Sequence, residues 1–533
     1  MLNRTKLLFS IQQFEVSGKE NSMKKVAILS LGLIVFLGAI SFAGGKAESG
    51  SYQLKTDGVD TSVMTDAPFA GWVQGLPKIQ APKGFDWKQF DGVQLNFISE
   101  NTPPSSALAE SIKSFEDVTG IKVNIEQADL SVVVEKVALD INAKSANYQL
   151  VYDDPYQILA KNYQHFVNLN TFINNKYLPP IPGGLADFIP SQLEADGYMT
   201  NRDQLYALPY DCPTMILAYR TDVFAKYKDL FMKENGWDWT PSSNMTWDQY
   251  YQVADWINKK VAAGVITEVK YGTGHQAKQY DSLMCDFSNI LASNGGDYFS
   301  APNLGTIGTT TPGKSLLTSD AAVKSAQFYK KLLSIAAPGS TSWDWSGVAE
   351  AFAAGDIAMI PEWHEFSSSF ENPDSSKIAG KVGWTILPKG SVRHANIYGG
   401  TGVSISKYAT PKQQYAAWLF LVWATSPQAE YMILKSKLGG ETPVRTSVYG
   451  LPDVKAGMTP NTPEAKNMPN LLPMAATLEA WKADNVYMRP KIPQWPQIDT
   501  IVYTGLSEML AGTLSPENAM KSIANKSDKL TGN

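Results

Sequence analysis

A chain of 533 residues is too long for one ordinary core, so two or more domains are expected. Hydrophobic residues at 44% and aromatics at 11% exclude a disordered chain. The formal charge is −5 although the first 43 residues are net basic, and the acidic body that remains argues against nucleic acid as a partner.

Met23-Lys24-Lys25, the apolar run Val26–Ile40 and then Ser41-Phe42-Ala43 follow the basic, apolar and small-residue order of a secretory signal. Either Met1 or Met23 can serve as the start. The expectation is cleavage near Ala43 and a periplasmic mature protein; the alternative is an uncleaved anchor, since the run approaches the ~18 residues a spanning helix needs. No cysteine follows that could take a lipid. Cys212 and Cys285 are the only cysteines, and an oxidising compartment would permit a disulfide between them as readily as two buried thiols.

Residues 44–90 are rich in Gly, Pro and polar residues and read as a linker and an N-terminal extension lying on the fold, with Trp72 packed at its surface. Val93–Ile98 alternates as a strand, Thr102-Pro103-Pro104 opens a helix that Gly120 terminates, and Ile121–Ile125 is the next strand. A helix Val132–Ala143 and a strand Gln149–Tyr152 repeat this βαβ pattern, whose crossovers are right-handed and whose sheet is parallel. A helical pattern resumes over Pro155–Phe166. Two apolar runs, Leu205–Leu208 and Met215–Tyr219, are then broken by Pro209-Tyr210-Asp211-Cys212-Pro213, which cannot be an ordinary central strand. The chain is expected to leave one sheet and enter another there.

Beyond this crossing, helices are expected over Tyr250–Ala262 (capped by Thr246 and Gln249), Ser282–Ser293, Asp320–Leu333 and Val348–Ala354. Val382–Pro388 and Thr401–Ser406 read as strands returning to the first lobe, and Gln413–Trp423 as a helix. The runs Tyr206-Ala207-Leu208-Pro209 and Tyr219-Arg220-Thr221-Asp222-Val223-Phe224, the start Thr246-Trp247-Asp248-Gln249, the pentad Gly355-Asp356-Ile357-Ala358-Met359 and the closing segment from Arg489 resemble, in this order, the extracellular solute-binding proteins of ABC importers. The branch resembled is the carbohydrate-binding, maltose-binding-protein-like one; Arg220 stands where that branch usually has Asn. The resemblance implies an α/β, two-lobed periplasmic binding protein fold of type II character, with mostly parallel sheets and an interlobe cleft. The organisation expected is 44–90 linker and extension, 91–207 first lobe, 208–378 second lobe, 379–435 return to the first lobe, and 436–533 second lobe and closing helices.

Ligands of open parallel sheets bind beyond the carboxyl ends of the strands. Glu100 and Asn101 follow the first strand, and Asp153 and Asp154 the third; carboxylates there can accept hydrogen bonds from sugar hydroxyls or simply cap the following helices. Trp343, Trp345, Glu362, Trp363 and Tyr398 form polar–aromatic clusters suited to the apolar faces and polar edges of sugar rings, and Gly399-Gly400 lets backbone approach a ligand closely. Tyr210 stands in the crossing, facing the same space. Arg445 resembles a family position and is either a hydrogen-bond donor or a structural ion pair.

Gly308–Ser315 matches a phosphate-binding loop by letter, but Leu316–Asp320 separates it from the next helix, whose cap is Ser319, so it reads as an ordinary loop. Four histidines and two cysteines without ligand spacing give no metal site, and no cofactor is expected. The function expected is capture of a sugar or oligosaccharide by hinge closure and its delivery to a membrane permease, by a monomer without catalysis. The alternative is a secreted glycosidase using paired carboxylates such as Glu362 with Glu365, or Asp153 with Asp154.

Overall fold

A computed structural model describes residues 52–438 and 442–533; the expected export signal and its expected cleavage position lie outside the described residues. Nine strands build two sheets: β1 (Gln94–Glu100), β2 (Lys122–Ala128), β3 (Leu150–Asp153), β4 (Ala207–Asp211), β5 (Met215–Arg220), β6 (Tyr271–Thr273), β7 (Ile357–Trp363), β8 (Val382–Thr385) and β9 (Thr401–Ile405). The first sheet has the order β2-β1-β3-β9-β4 and the second β6-β7-β5-β8. β1 runs parallel to β2 and β3, while β9 lies antiparallel between β3 and β4. In the second sheet β6 and β7 are parallel, and β5 runs against both β7 and β8. Each sheet thus contains one reversed strand, and it is the strand on which the chain has just arrived from the other sheet. A chain entering at the end where its neighbours finish must run against them.

The βαβ start forms for the reasons the sequence suggests. Thr102 caps the helix Pro103–Ser111 by accepting from the Ser105 amide, and Gly120 stops the following turn at φ 72°. A side chain at Gly120 would strike the Asp91 carboxylate at 2.0 Å, so glycine is required there twice over. Pro209 lies in β4, an edge strand of its sheet, the place where proline is tolerated because one side of the strand makes no ladder hydrogen bonds. Thr246 with Gln249 and Thr410 with Gln413 make full capping boxes for the helices Trp247–Ala262 and Pro411–Ala424.

Three expectations need correction. β8 does not return to the first lobe: Val382–Thr385 pairs with Arg220–Leu217 of β5, so the second crossing falls between β8 and β9. Alternation marks a strand but not its partner, which is chosen by contacts far away in sequence. β4 extends the first sheet to Asp211, past the expected boundary at 207/208, and the first crossing is Cys212–Thr214. Finally, Pro155–Phe166 is not one helix. Asp154 accepts from the amides of Tyr156 and Gln157, both at 2.7 Å, and opens a wide turn Pro155–Leu159 before short helical pieces Ala160–Asn162 and Tyr163–His165.

The first lobe's core joins Phe97, Phe115, Tyr152 and Trp418 to Phe69, Phe85 and Phe90 of the N-terminal extension, whose ribbon pairs the largely exposed strand Asp60–Asp66 with Gln80–Lys83, where Ala81 is buried in the same core. Trp72, half-buried, meets Phe69 edge-on. The helices Trp495–Leu510 and Pro516–Thr531 close the second lobe's core through Ile498, Val502, Met520 and Ile523. Short helices from Thr446 onward instead gather around Leu434, Leu471 and Met474, with Leu76 of the extension. Cys212 and Cys285 are both buried and free. Gly308–Ser315 is a loop, and Ser319 caps the helix that follows. No helix among the described residues is long and apolar enough to cross a membrane.

Candidate functional site

The carboxyl ends of β1, β3 and β7 converge on a cavity between the two sheets. Glu100, Asn101 and Thr102 enter it from the end of β1, Tyr152 and Asp154 from β3, and Trp363, Glu365 and Phe366 from the end of β7. Pro213 of the crossing, Asp281 and Trp345 at two helix starts, Gly399 and Arg489 complete most of the wall. About 80 Å³ is open to the centre of a water molecule, room for a small solute.

Carboxylates dominate its polar lining. Just behind the wall, Asp211 accepts from the Thr102 hydroxyl at 2.9 Å and the Tyr152 hydroxyl at 3.2 Å and faces Glu365 across the cleft. Burial, outweighing these bonds, pushes Asp211 up to about 6. Glu365 is raised well above the usual carboxylate range by burial and by Asp211 and Glu100; Glu100 is raised likewise by burial, Asp211, Asp154 and Asp281. Arg489 answers part of this charge, standing 3.4 Å from Asp154 and 3.6 Å from Asp281 with its guanidinium 4.3 Å from the Tyr156 ring centre. Behind Asp281, the Gln157 amide donates to Asp499 at 2.9 Å, linking the two lobes again. Lys491, buried between Asp153 and Asp196 and donating to the carbonyls of Ala195 and Tyr198, is lowered to about 7 by loss of solvent.

Of the residues singled out in the sequence, the cavity wall brings together Glu100, Asn101, Asp154, Trp345, Trp363 and Gly399. Gly399 passes so close to Trp363 that a Cβ would lie 2.6 Å from the indole. The others stand behind the wall. Asp153 bonds Ser404 and faces Lys491; Tyr210 packs edge-on against Phe97 and Tyr152; Tyr398 donates to Asp196 at 2.7 Å and lies 3.0 Å from the Cys212 sulfur. Trp343 covers Gly339 and Gly347, and Glu362 accepts from the Gln276 amide and its neighbour's backbone. Gly400 is pressed against the Tyr398 hydroxyl. Arg445 is a buried ion pair, 3.1 Å from Asp187 and stacked 3.9 Å over Phe188.

Tyr152, Asp281 and Arg489 were not singled out, and Glu365 was weighed only as a partner for Glu362. For Glu365 the signal was available, since it follows the end of β7 as Asp154 follows β3. Arg489 carries no local signal, being remote in sequence from everything it touches. Among the described residues no group of three or more His, Cys, Asp or Glu side chains is arranged to hold a metal ion.

The family model described as bacterial extracellular solute-binding protein matches residues 99–431. The chain is 22% identical over 441 residues to the "Probable amino-acid ABC transporter periplasmic-binding protein y4oP" of Sinorhizobium fredii, covering 82% of this chain and 89% of that one. It is 20% identical over 382 residues to an erythritol/L-threitol-binding protein of Mycolicibacterium smegmatis, covering 69% and 73%. Among solved structures, an ABC transporter solute-binding protein of Agrobacterium radiobacter K84 in complex with ribitol matches with a TM-score of 0.66 and 26% identity, covering 83% of this chain and 99% of that one. A match through more than half of the chain, on two sheets joined by crossing strands around an acid- and aromatic-lined cleft, shows that this protein belongs to the bacterial extracellular solute-binding proteins.

Proposed function

We propose that the chain captures a small polyol or sugar in the cleft between its sheets and presents the closed form to the membrane permease of an ABC importer. The observation that carries this reading is a small cavity walled from both lobes, whose lining combines hydrogen-bond acceptors with aromatic rings. Carboxylates accept from hydroxyls while rings pack against C–H faces. The ribitol complex and the erythritol/L-threitol-binding relative support a polyol, and the cavity's size favours a small solute over an oligosaccharide.

In this reading Glu100, Asn101, Asp154, Trp345, Trp363 and Gly399, with Tyr152, Asp281, Glu365 and Arg489, touch the solute. Asp153, Tyr210, Trp343, Glu362, Tyr398, Gly400 and Arg445 hold the wall. The lobes flex at 212–214 and at the return before β9, the export signal is removed near Ala43, and the mature protein acts as a monomer. Family membership makes the chain a binding protein rather than a hydrolase. Thermal unfolding with a panel of alditols and sugars tests the reading: a ligand at about 100 times its Kd adds ~2.7 kcal/mol and is recovered unchanged. Stabilisation by none of the panel, or steady consumption of a bound sugar, would refute it.

A further inference from the structure

The cleft holds more negative charge than it neutralises. Arg489 is the one cation on the cavity wall among the described residues, and Asp154 and Asp281 already claim it. Lys491, the next buried cation, is committed to two backbone carbonyls and faces Asp153 and Asp196. Glu100, Asp211 and Glu365 therefore confront one another without a counter-ion. Glu365 is 6% exposed, lines the cavity, and leaves its Oε2 buried with no hydrogen-bond partner. Trp363 and Tyr152 share that part of the wall.

We propose that the captured solute bears a protonated amine, seated between Glu100 and Glu365 beside the rings of Tyr152 and Trp363. The inference rests on the uptake reading above and narrows its ligand class to amino-polyols and amino sugars. Hydroxyl groups can satisfy the lone pairs of a carboxylate, but they leave its charge in place. An ammonium supplies three donors together with a positive charge, and aromatic faces favour it further once water is excluded. Without such a cation the same carboxylates hold on to protons, which is the direction in which Glu100, Asp211 and Glu365 are all displaced. The groups facing them are Thr102, Tyr152, Asp154, Asp281 and Glu362, with Arg489 reached only through Asp154 and Asp281.

The test is titration calorimetry at neutral pH with matched pairs: D-sorbitol and D-glucamine, ribitol and 1-amino-1-deoxyribitol, D-glucose and D-glucosamine. In at least one pair the amine should bind about tenfold tighter or better. Its heat should vary with the ionisation enthalpy of the buffer, because protons leave as the ammonium arrives. Glu365→Gln should erase the preference, bringing the amine's affinity down to that of its neutral partner or below, and Glu100→Gln, at a half-buried position, provides a second variant should the first fold poorly. Equal or tighter binding of every neutral partner would overturn the amine while leaving the uptake reading intact. Preference that survives both substitutions would overturn the proposed seat. Failure of both members of all pairs would sink the ligand class and the uptake reading together.

Discussion

Arg489→Met is the most informative single change. Its guanidinium stands 3.4 Å from Asp154 and 3.6 Å from Asp281, with all three side chains buried. At an effective dielectric of about 20, each such pair is worth ~4–5 kcal/mol before the cost of removing it from water. Removing one partner of a buried pair leaves the others stranded, and the usual net loss is about 3–5 kcal/mol. Asp154 sits on the first lobe and Asp281 starts a second-lobe helix, so part of the strain can be relieved by opening, and a loss of about 3 kcal/mol is expected. Urea denaturation of the variant gives the number. Asp154→Asn in the Arg489→Met background should restore much of it, because the double change removes the stranded charge; a double-mutant cycle isolates that coupling. The variant should also gain stability relative to wild type as pH falls, since its uncompensated carboxylates then take up protons. A loss below about 1 kcal/mol, or simple additivity in the cycle, would refute the assignment of Arg489 as the bridge between the lobes.

Gly399→Ala places a Cβ 2.6 Å from Trp363, so a cost of about 1–3 kcal/mol and a weaker ligand are expected, read by thermal unfolding and calorimetry. Asp211 sits at about 6 in the folded chain and near 3.8 unfolded, so the folded form holds the extra proton between these values. Wild-type stability should therefore fall relative to Asp211→Asn as pH rises from about 4 to about 6, by on the order of 2–3 kcal/mol, and level off above that window. A thiol reagent should label neither Cys212 nor Cys285 in the native protein and both after unfolding, and a reductant should leave the melting temperature unchanged. Thr246→Ala removes the acceptor for the Gln249 amide, and chemical denaturation should register a loss of about 1 kcal/mol without altered ligand binding.

Local chemistry made much of the fold legible. Thr246 with Gln249 marks a helix start because one hydroxyl and one amide satisfy amides that the helix cannot. Two prolines flanking Tyr210-Asp211-Cys212 mark a chain leaving a sheet, since a missing donor is tolerated only at an edge. Glu100 and Asp154 were within reach because they follow strands at the end where parallel sheets bind ligands. β8 was assigned to the wrong sheet because Val382–Thr385 has the same alternation whichever lobe it joins; its register with β5 is set by pairing across some 160 residues of chain. Arg489 was missed for a related reason. Its partners, Asp154 and Asp281, are brought to it only by the folding of both lobes, and nothing in its neighbours announces a charge partner.

The contacts that span the cleft divide into two sets with opposite effects on closure. Arg489 with Asp154 and the Gln157 amide with Asp499 join the lobes and favour the shut form. Glu100, Asp211 and Glu365 oppose it, because shutting the cleft strips water from carboxylates that repel one another. A solute can shift such an equilibrium only by binding the shut form better than the open one. Groups that are costly when shut and empty, and satisfied when shut and filled, supply that difference at the site itself. On the proposed reading the buried carboxylates both recognise the solute and make the empty clamp resist closing, so substitutions that neutralise them should loosen recognition and ease closure together.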